Sequence, residues 1–174
     1  MWWAAAACGV ASGVPMLFQG TEILQPGWWH TDQYFRWDLA PENGLGTEGG
    51  SAPAIEMMKL VKATLDLRKE HPDVCGHDPQ VVHQDEKNMV YGVRRQGYLS
   101  VLHAGGGQWG DGEDRYEVKC GGGSKAKQVF NSMAEELGGW DASWTVKGDK
   151  EIKIENGGLR MKLPKWSVLV FKIS

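Results

Sequence analysis

From Val81 onward the chain is interrupted every few residues by glycine, aspartate or asparagine, and between the interruptions stand short runs rich in β-branched and aromatic residues. The runs are Val81 to His83, Met89 to Arg94, Tyr98 to His103, Tyr116 to Lys119, Gln128 to Asn131, Glu151 to Glu155, Leu159 to Leu163 and Ser167 to Ile173. Short strands separated by turn residues predict an antiparallel sandwich or barrel. The clearest hairpin is IKIENGGLRMKL, Ile152 to Leu163, where alternating apolar and polar residues flank Asn156-Gly157. The run VLVFKI, Val168 to Ile173, is apolar enough for a central strand. Gly105-Gly106-Gly107 and Gly121-Gly122-Gly123 read as flexible loop tips within this β region.

Upstream of residues 73 to 78 the texture differs. Ser51 to His71 predicts a helix. Ser51 or Ala52 caps it, Pro53 suits the first turn, and Glu56 complements the N-terminal dipole. Ile55, Met58, Val61 or Lys62, and Leu65 recur at helical spacing, with Met57, Leu60 and Leu67 widening the apolar face. Arg68, Lys69 and His71 close the helix and Pro72 stops it. Residues 24 to 50 are aromatic, glycine-rich and acidic without a period, and loops of that length are usually functional or disordered. Before them, GVPMLFQGTE, Gly13 to Glu22, reads as a short buried strand at Val14 to Phe18, then a turn with a carboxylate at its mouth. The apolar residues before it predict a buried helix end, Trp2 to Val10, and a Ser12-Gly13 turn.

Composition narrows the function class. Of 174 residues, 41% are hydrophobic and 24% charged, as in an ordinary globular protein, and the net charge is −3. Lysine and arginine are scattered, which argues against nucleic acid. Gly9, Gly13 and Pro15 break the first apolar run, which argues against a membrane span, and no basic residue follows Met1 as a secretory leader requires. The three cysteines lack metal-ligand spacing and are odd in number, so free thiols in a reducing compartment are expected, cytoplasmic or plastid and not secreted. No metal and no cofactor is expected. Nine tryptophans are many for this length; they fit either core packing or sugar-stacking surfaces.

GVPMLFQGTE followed by a loop containing Arg36-Trp37-Asp38 resembles the end of the catalytic barrel in the alpha-amylase superfamily. The eighth strand there has a G-x-P-x-[LI]-[FY]-x-G-x-E pattern, matched by Gly13, Pro15, Leu17, Phe18, Gly20 and Glu22. The helix carrying Leu67-Arg68-Lys69 is similar to the eighth barrel helix, and LPKWSVLVFKI to the closing strand of α-1,4-glucan branching enzymes. Phe130-Asn131-Ser132 is similar to the NSD stretch of those enzymes, with Met133 at the aspartate position.

The resemblance implies an α+β fragment: the last strand-helix unit of a (β/α)8 barrel over residues 1–75, then an all-β C-terminal antiparallel sandwich domain over 76–174. It implies α-glucan as the partner of the parent enzyme, and the missing barrel portion as a second. The parent reaction is retaining: a carboxylate nucleophile forms a glycosyl-enzyme, a glutamic acid protonates the leaving oxygen, a second aspartate steadies the transition state, and a glucan 6-hydroxyl replaces water. In the family these carboxylates come from strands four, five and seven. No position here matches them, so no catalytic residue is expected and the chain alone is expected to be catalytically silent; the alternatives are a non-catalytic glucan-binding accessory module or a structural half that docks on a separate barrel chain. Trp28, Trp29, Tyr34 and Trp37, with Asp38, are candidate glucosyl contacts; the alternative is a loop whose rings form its own small core. Glu22 is expected to fix the strand-loop transition by hydrogen bonds, or to touch the sugar site at second hand. On this view the β module folds alone and the first ~70 residues are marginally ordered without the barrel.

Overall fold

The computed structural model describes residues 2–10, 13–28, 30–40, 51–110, 112–139 and 151–174. All eight β runs form strands: β1 (Gln80–Asp85), β2 (Val90–Arg95), β3 (Tyr98–His103), β4 (Tyr116–Lys119), β5 (Lys125–Asn131), β6 (Glu151–Glu155), β7 (Gly158–Met161) and β8 (Ser167–Ile173). They build one antiparallel sheet in the order β1-β2-β3-β8-β5-β6-β7-β4. The expected sandwich is thus a single sheet that curls until its edges, β1 and β4, come together. Its concave face encloses Val90, Leu99, Val118, Leu159, Leu169 and Phe171, all essentially inaccessible.

The Asn156-Gly157 hairpin forms as the sequence dictates. Glu155 pairs with Gly158, and both turn residues have positive φ, 52° and 77°, the two-residue turn whose twist matches that of the strands. β8 is central, flanked by β3 and β5, and only Lys172 of its residues is exposed. The Gly121-Gly122-Gly123 segment is not a free loop tip. A Cβ on Gly123 would lie 2.2 Å from the Ile173 side chain, so glycine lets the backbone press against the sheet.

Two helices cover the convex face of β3, β8 and β5. Helix α1 (Trp2–Ala7) is shorter than the expected Trp2 to Val10, while α2 (Ala52–Glu70) matches its expected span. Ser51 Oγ accepts from the Ala54 amide at 3.4 Å, and the His71 amide donates to the Leu67 carbonyl at 2.8 Å before Pro72 ends the helix. The buried stripe of α2 is Ala54, Leu60, Val61, Thr64 and Leu67, while Leu65, expected on the apolar face, is 41% exposed. Thr64 is tolerated inside because its hydroxyl donates to the Val61 carbonyl and accepts from Trp3 Nε1. Ala4, Ala5 and Cys8 join Leu60, Leu67, Tyr98, Phe130, Val168 and Val170 in one cluster. The segment expected to be marginal therefore shares a buried core with the sheet.

The attachment is also polar. The carbonyls of Ala7, the last residue of α1, and of Cys8 and Gly9 after it accept from Arg68 of α2 at 3.1 Å, Ser100 of β3 at 2.5 Å and Arg95 of β2 at 2.7 Å. Arg95 also reaches the Gly76 carbonyl at 2.6 Å and is 4% exposed.

The expected strand at Val14 to Phe18 is not a strand. It has no ladder partner, and no last strand-helix unit of a barrel is formed among the described residues. Alternate side chains Val14, Met16 and Phe18 are exposed, Val14 by 91%. An isolated strand has no hydrogen-bonded neighbour to hold it, and the one sheet in the structure offers it no edge. No described helix is long and apolar enough to cross a membrane.

Leu169, at the centre of β8, is 1% exposed. Leu169→Ala is expected to cost about 2–5 kcal/mol of unfolding free energy in urea titration; a loss below half a kilocalorie would contradict its central placement. Arg95→Met is expected to cost about 1–3 kcal/mol or more, because the Gly9 and Gly76 carbonyls lose a buried donor. An unchanged urea midpoint would show that these contacts do not hold α1.

Candidate functional site

The candidate sugar contacts lie on the segment after Gly20. A short 3-10 turn, Thr21–Ile23, buries Ile23 and places Glu22 in its first turn. The turn is held by backbone bonds: Thr21 to the Phe18 carbonyl at 2.8 Å and Ile23 to that of Gly20 at 3.2 Å. No side-chain hydrogen bond of Glu22 accompanies them, so the turn does not depend on that carboxylate as expected. The Gln25 amide donates to the Gly20 carbonyl, and Gln25 Oε1 accepts from the Arg36 amide at 3.1 Å, tying Arg36 back to the turn.

Within this frame, a second 3-10 turn runs Trp37–Leu39. Arg36 Nε and Nη2 donate to both oxygens of Asp38 at 2.7 and 2.6 Å, a bidentate pair in the open. That pairing holds the Asp38 carboxyl below its usual range. Phe35 and Trp37 meet at 4.4 Å between ring centroids, and Trp28 Nε1 donates to His30. The loop's rings do not form a closed core: Trp28 is 77%, Tyr34 90% and Trp37 75% exposed. Trp29 lies outside the described residues. The structure thus brings Phe35, Arg36, Trp37 and Asp38 together, with Trp28 beside His30, and Tyr34 has no ring partner among the described residues. Open aromatic faces beside a fixed carboxylate and guanidinium can stack on and hydrogen-bond a sugar.

A second polar constellation was not anticipated from the sequence. Where the sheet edges meet, the Lys119 amide of β4 donates to His83 Nδ1 at 3.2 Å. His83 Nε2 lies 2.9 Å from the Tyr116 hydroxyl, which donates to Asp85 Oδ2 at 2.7 Å. Asp85 also accepts from the Asn88 amide at 3.0 Å and from its side chain at 2.6 Å. The Tyr116 hydrogen bond, with those from Asn88, pulls the Asp85 carboxyl down to about 2. Burial, then the Asp85 partner, pushes the Tyr116 phenol up. Trp109 packs on Tyr116 at 4.6 Å and on His103 at 5.3 Å. His103 donates from Nδ1 to the Pro164 carbonyl at 2.7 Å, and burial lowers its pKa and keeps the ring neutral. The i, i+2 spacing of His83 and Asp85 was visible in the sequence, but Tyr116 enters only through the curl of the sheet.

The cysteines are free, as expected. Burial raises all three thiols, Cys120 to about 11, which leaves them protonated and poor nucleophiles. Among the described residues no group of three or more His, Cys, Asp or Glu could hold a metal ion.

No protein-family model matches the chain, and no curated protein matches it. Solved structures do. Ttha1563 from Thermus thermophilus superposes with a TM-score of 0.61 at 21% identity, over 98% of this chain and 30% of the other. The alpha-amylase from H. orenii gives 0.56 at 18% identity, over 98% and 35%. AmyP in complex with maltotriose gives 0.51 at 14% identity, over 71% and 22%. The curled antiparallel sheet resembles the C-terminal β domain of alpha-amylases, and the chain spans about a third or less of the length of these structures. The shared property is the fold.

The Asp85 carboxyl has a lower pKa folded than unfolded, so its contribution to stability is present above about pH 4 and is lost as pH falls through about 2. Tyr116→Phe removes the largest cause of that depression. The variant is expected to have a lower urea midpoint than the parent at neutral pH, to lose less of it on acidification, and to complete that loss at a higher pH. Superimposable acid profiles would show that the Tyr116 bond does not set the Asp85 titration.

Proposed function

We propose that this chain is the C-terminal part of an α-1,4-glucan branching enzyme-like protein of the alpha-amylase superfamily. The parent reaction is retaining transglycosylation that forms α-1,6 branches in starch or glycogen. The reading rests on the combination of an alpha-amylase-like C-terminal fold with the unpaired apolar segment 14–18. A strand with two open edges is completed by parallel neighbours, and a barrel's other strands would supply them. The LPKWSVLVFKI ending favours branching enzymes over ordinary alpha-amylases. The three free thiols favour a cytoplasmic or plastid protein.

Transglycosylation needs two carboxyls held about 5–5.5 Å apart on a rigid scaffold. In this reading the rest of the protein supplies them, and the chain alone is catalytically silent. Incubated with amylose, it is expected to leave the iodine-complex spectrum unchanged. Appearance of α-1,6 linkages by debranching analysis would overturn the assignment of catalysis to other segments. Coding sequence upstream of Met1 that lacks a barrel strand ending in aspartate and a later one ending in glutamate would overturn the parentage.

A second reading is a non-catalytic glucan-binding module, favoured by the exposed rings of Trp28, Tyr34 and Trp37 beside the Arg36–Asp38 pair. Aromatic-to-alanine changes at an exposed stacking platform leave folding intact and weaken ligand binding. Retardation of the chain in amylopectin-containing gels is expected to fall in Trp28→Ala/Trp37→Ala. Equal mobility of parent and variant at all amylopectin concentrations would remove this reading.

A further inference from the structure

The two edge strands of the sheet are joined by side chains in place of a backbone ladder. Among the described residues β1 is hydrogen-bonded only to β2, and β4 only to β7. Between them runs a chain of bonds with every proton accounted for. The Lys119 amide must be the donor to His83 Nδ1, so Nδ1 carries a lone pair. Nε2 then carries the hydrogen and donates to the Tyr116 oxygen, whose own hydrogen goes to Asp85. A bulge in β1 between Val81 and His83 turns His83 into this position. Only the neutral Nε2–H tautomer satisfies all four groups at once.

We propose that His83 is a proton-operated latch that closes the β1–β4 seam when neutral and releases β4 when Nδ1 is protonated. Protonation places a hydrogen on the atom that now accepts from Lys119, so an N–H faces an N–H and the bond is lost. The charged groups around the ring oppose one another. On β1, Asp85 favours the cation; on β4, the Lys119 ammonium and burial against Tyr116 oppose it, and burial is the larger effect. Opposite His83, β2 presents Gly92 with no charge, and Arg94 of β2 reaches the Cys120 carbonyl beyond the end of β4 at 3.5 Å. The folded imidazole therefore titrates below its ordinary value. The seam is whole above about pH 6.5 and is lost as pH falls through the lower folded value. This window lies above the one in which Asp85 titrates.

The inference does not depend on the parent enzyme. It is tested by two-dimensional amide NMR of the whole 174-residue chain between about pH 8 and about pH 5, the range in which an imidazole titrates. The expected result is that the Lys119 amide shift follows the His83 ring with one midpoint below 6.5. Exchange of the β4 amides, corrected for intrinsic rates, is expected to rise by at most about tenfold per pH unit as pH falls from about 6.5 to that midpoint and to level off below it, with β3 unaffected. His83→Gln keeps an acceptor and a donor at similar reach without titrating, and is expected to abolish both changes. A Lys119 amide that ignores the His83 titration, or a His83→Gln chain with the same pH-dependent opening, would overturn the proposal. Should that variant not fold, Tyr116→Phe supplies the second arm: removing the hydroxyl is expected to shift the common midpoint, and an unmoved midpoint would equally overturn it.

Discussion

Three donors from three elements converge on three consecutive carbonyls, those of Ala7, Cys8 and Gly9. A helix as short as α1 has no stability of its own, and its terminal carbonyls would be costly to bury unpaired. Arg68, Ser100 and Arg95 resolve both problems by fastening α1 to α2, β3 and β2 at once. With α1 fixed, α2 can lay Leu60 and Leu67 over the outer face of the sheet, and residues 2–10 and 52–70 become part of the same core as β3, β5 and β8. The loop that follows α1 is then hung from a rigid base, with Ile23 as its inner anchor.

That arrangement explains why the loop can leave its rings in water. Gln25 ties the Gly20 turn to Arg36, the Arg36 side chain pairs with Asp38, and neither device needs Trp28, Tyr34 or Trp37 to be buried. Exposed aromatic groups on a held backbone suit recognition of flat apolar surfaces such as sugar rings, because little conformational freedom is lost on contact.

What was legible in the sequence was whatever local chemistry decides. Asn156-Gly157 specifies its turn by backbone sterics alone, Ser51 and Pro72 bracket α2 by hydrogen bonding and ring geometry, and the alternation in Ile152 to Leu163 fixes which side faces the core. Val14 to Phe18 has as strong an apolar pattern, yet a strand is a relation between segments, and none of the described segments pairs with it. The same logic hid Tyr116. Its partners, His83 and Asp85, sit 33 and 31 residues away, and only the closure of the curl brings them within reach. The helical stripe was misjudged by one position, because a threonine whose hydroxyl is satisfied at home can be buried where a leucine stays outside.

The place of β8 has a consequence in time. It is eighth of the strands in sequence and fourth in space, wedged between β3 and β5. During synthesis the earlier strands leave the ribosome as two groups, β1-β2-β3 on one side and β4 to β7 on the other, joined by no backbone ladder among the described residues. Each group presents a bare edge until residues 167–173 emerge, and contacts so distant in sequence form slowly. The edges of β3 and β5 therefore stay open to mispairing until β8 is in place, and a chaperone that shields them would act before that step.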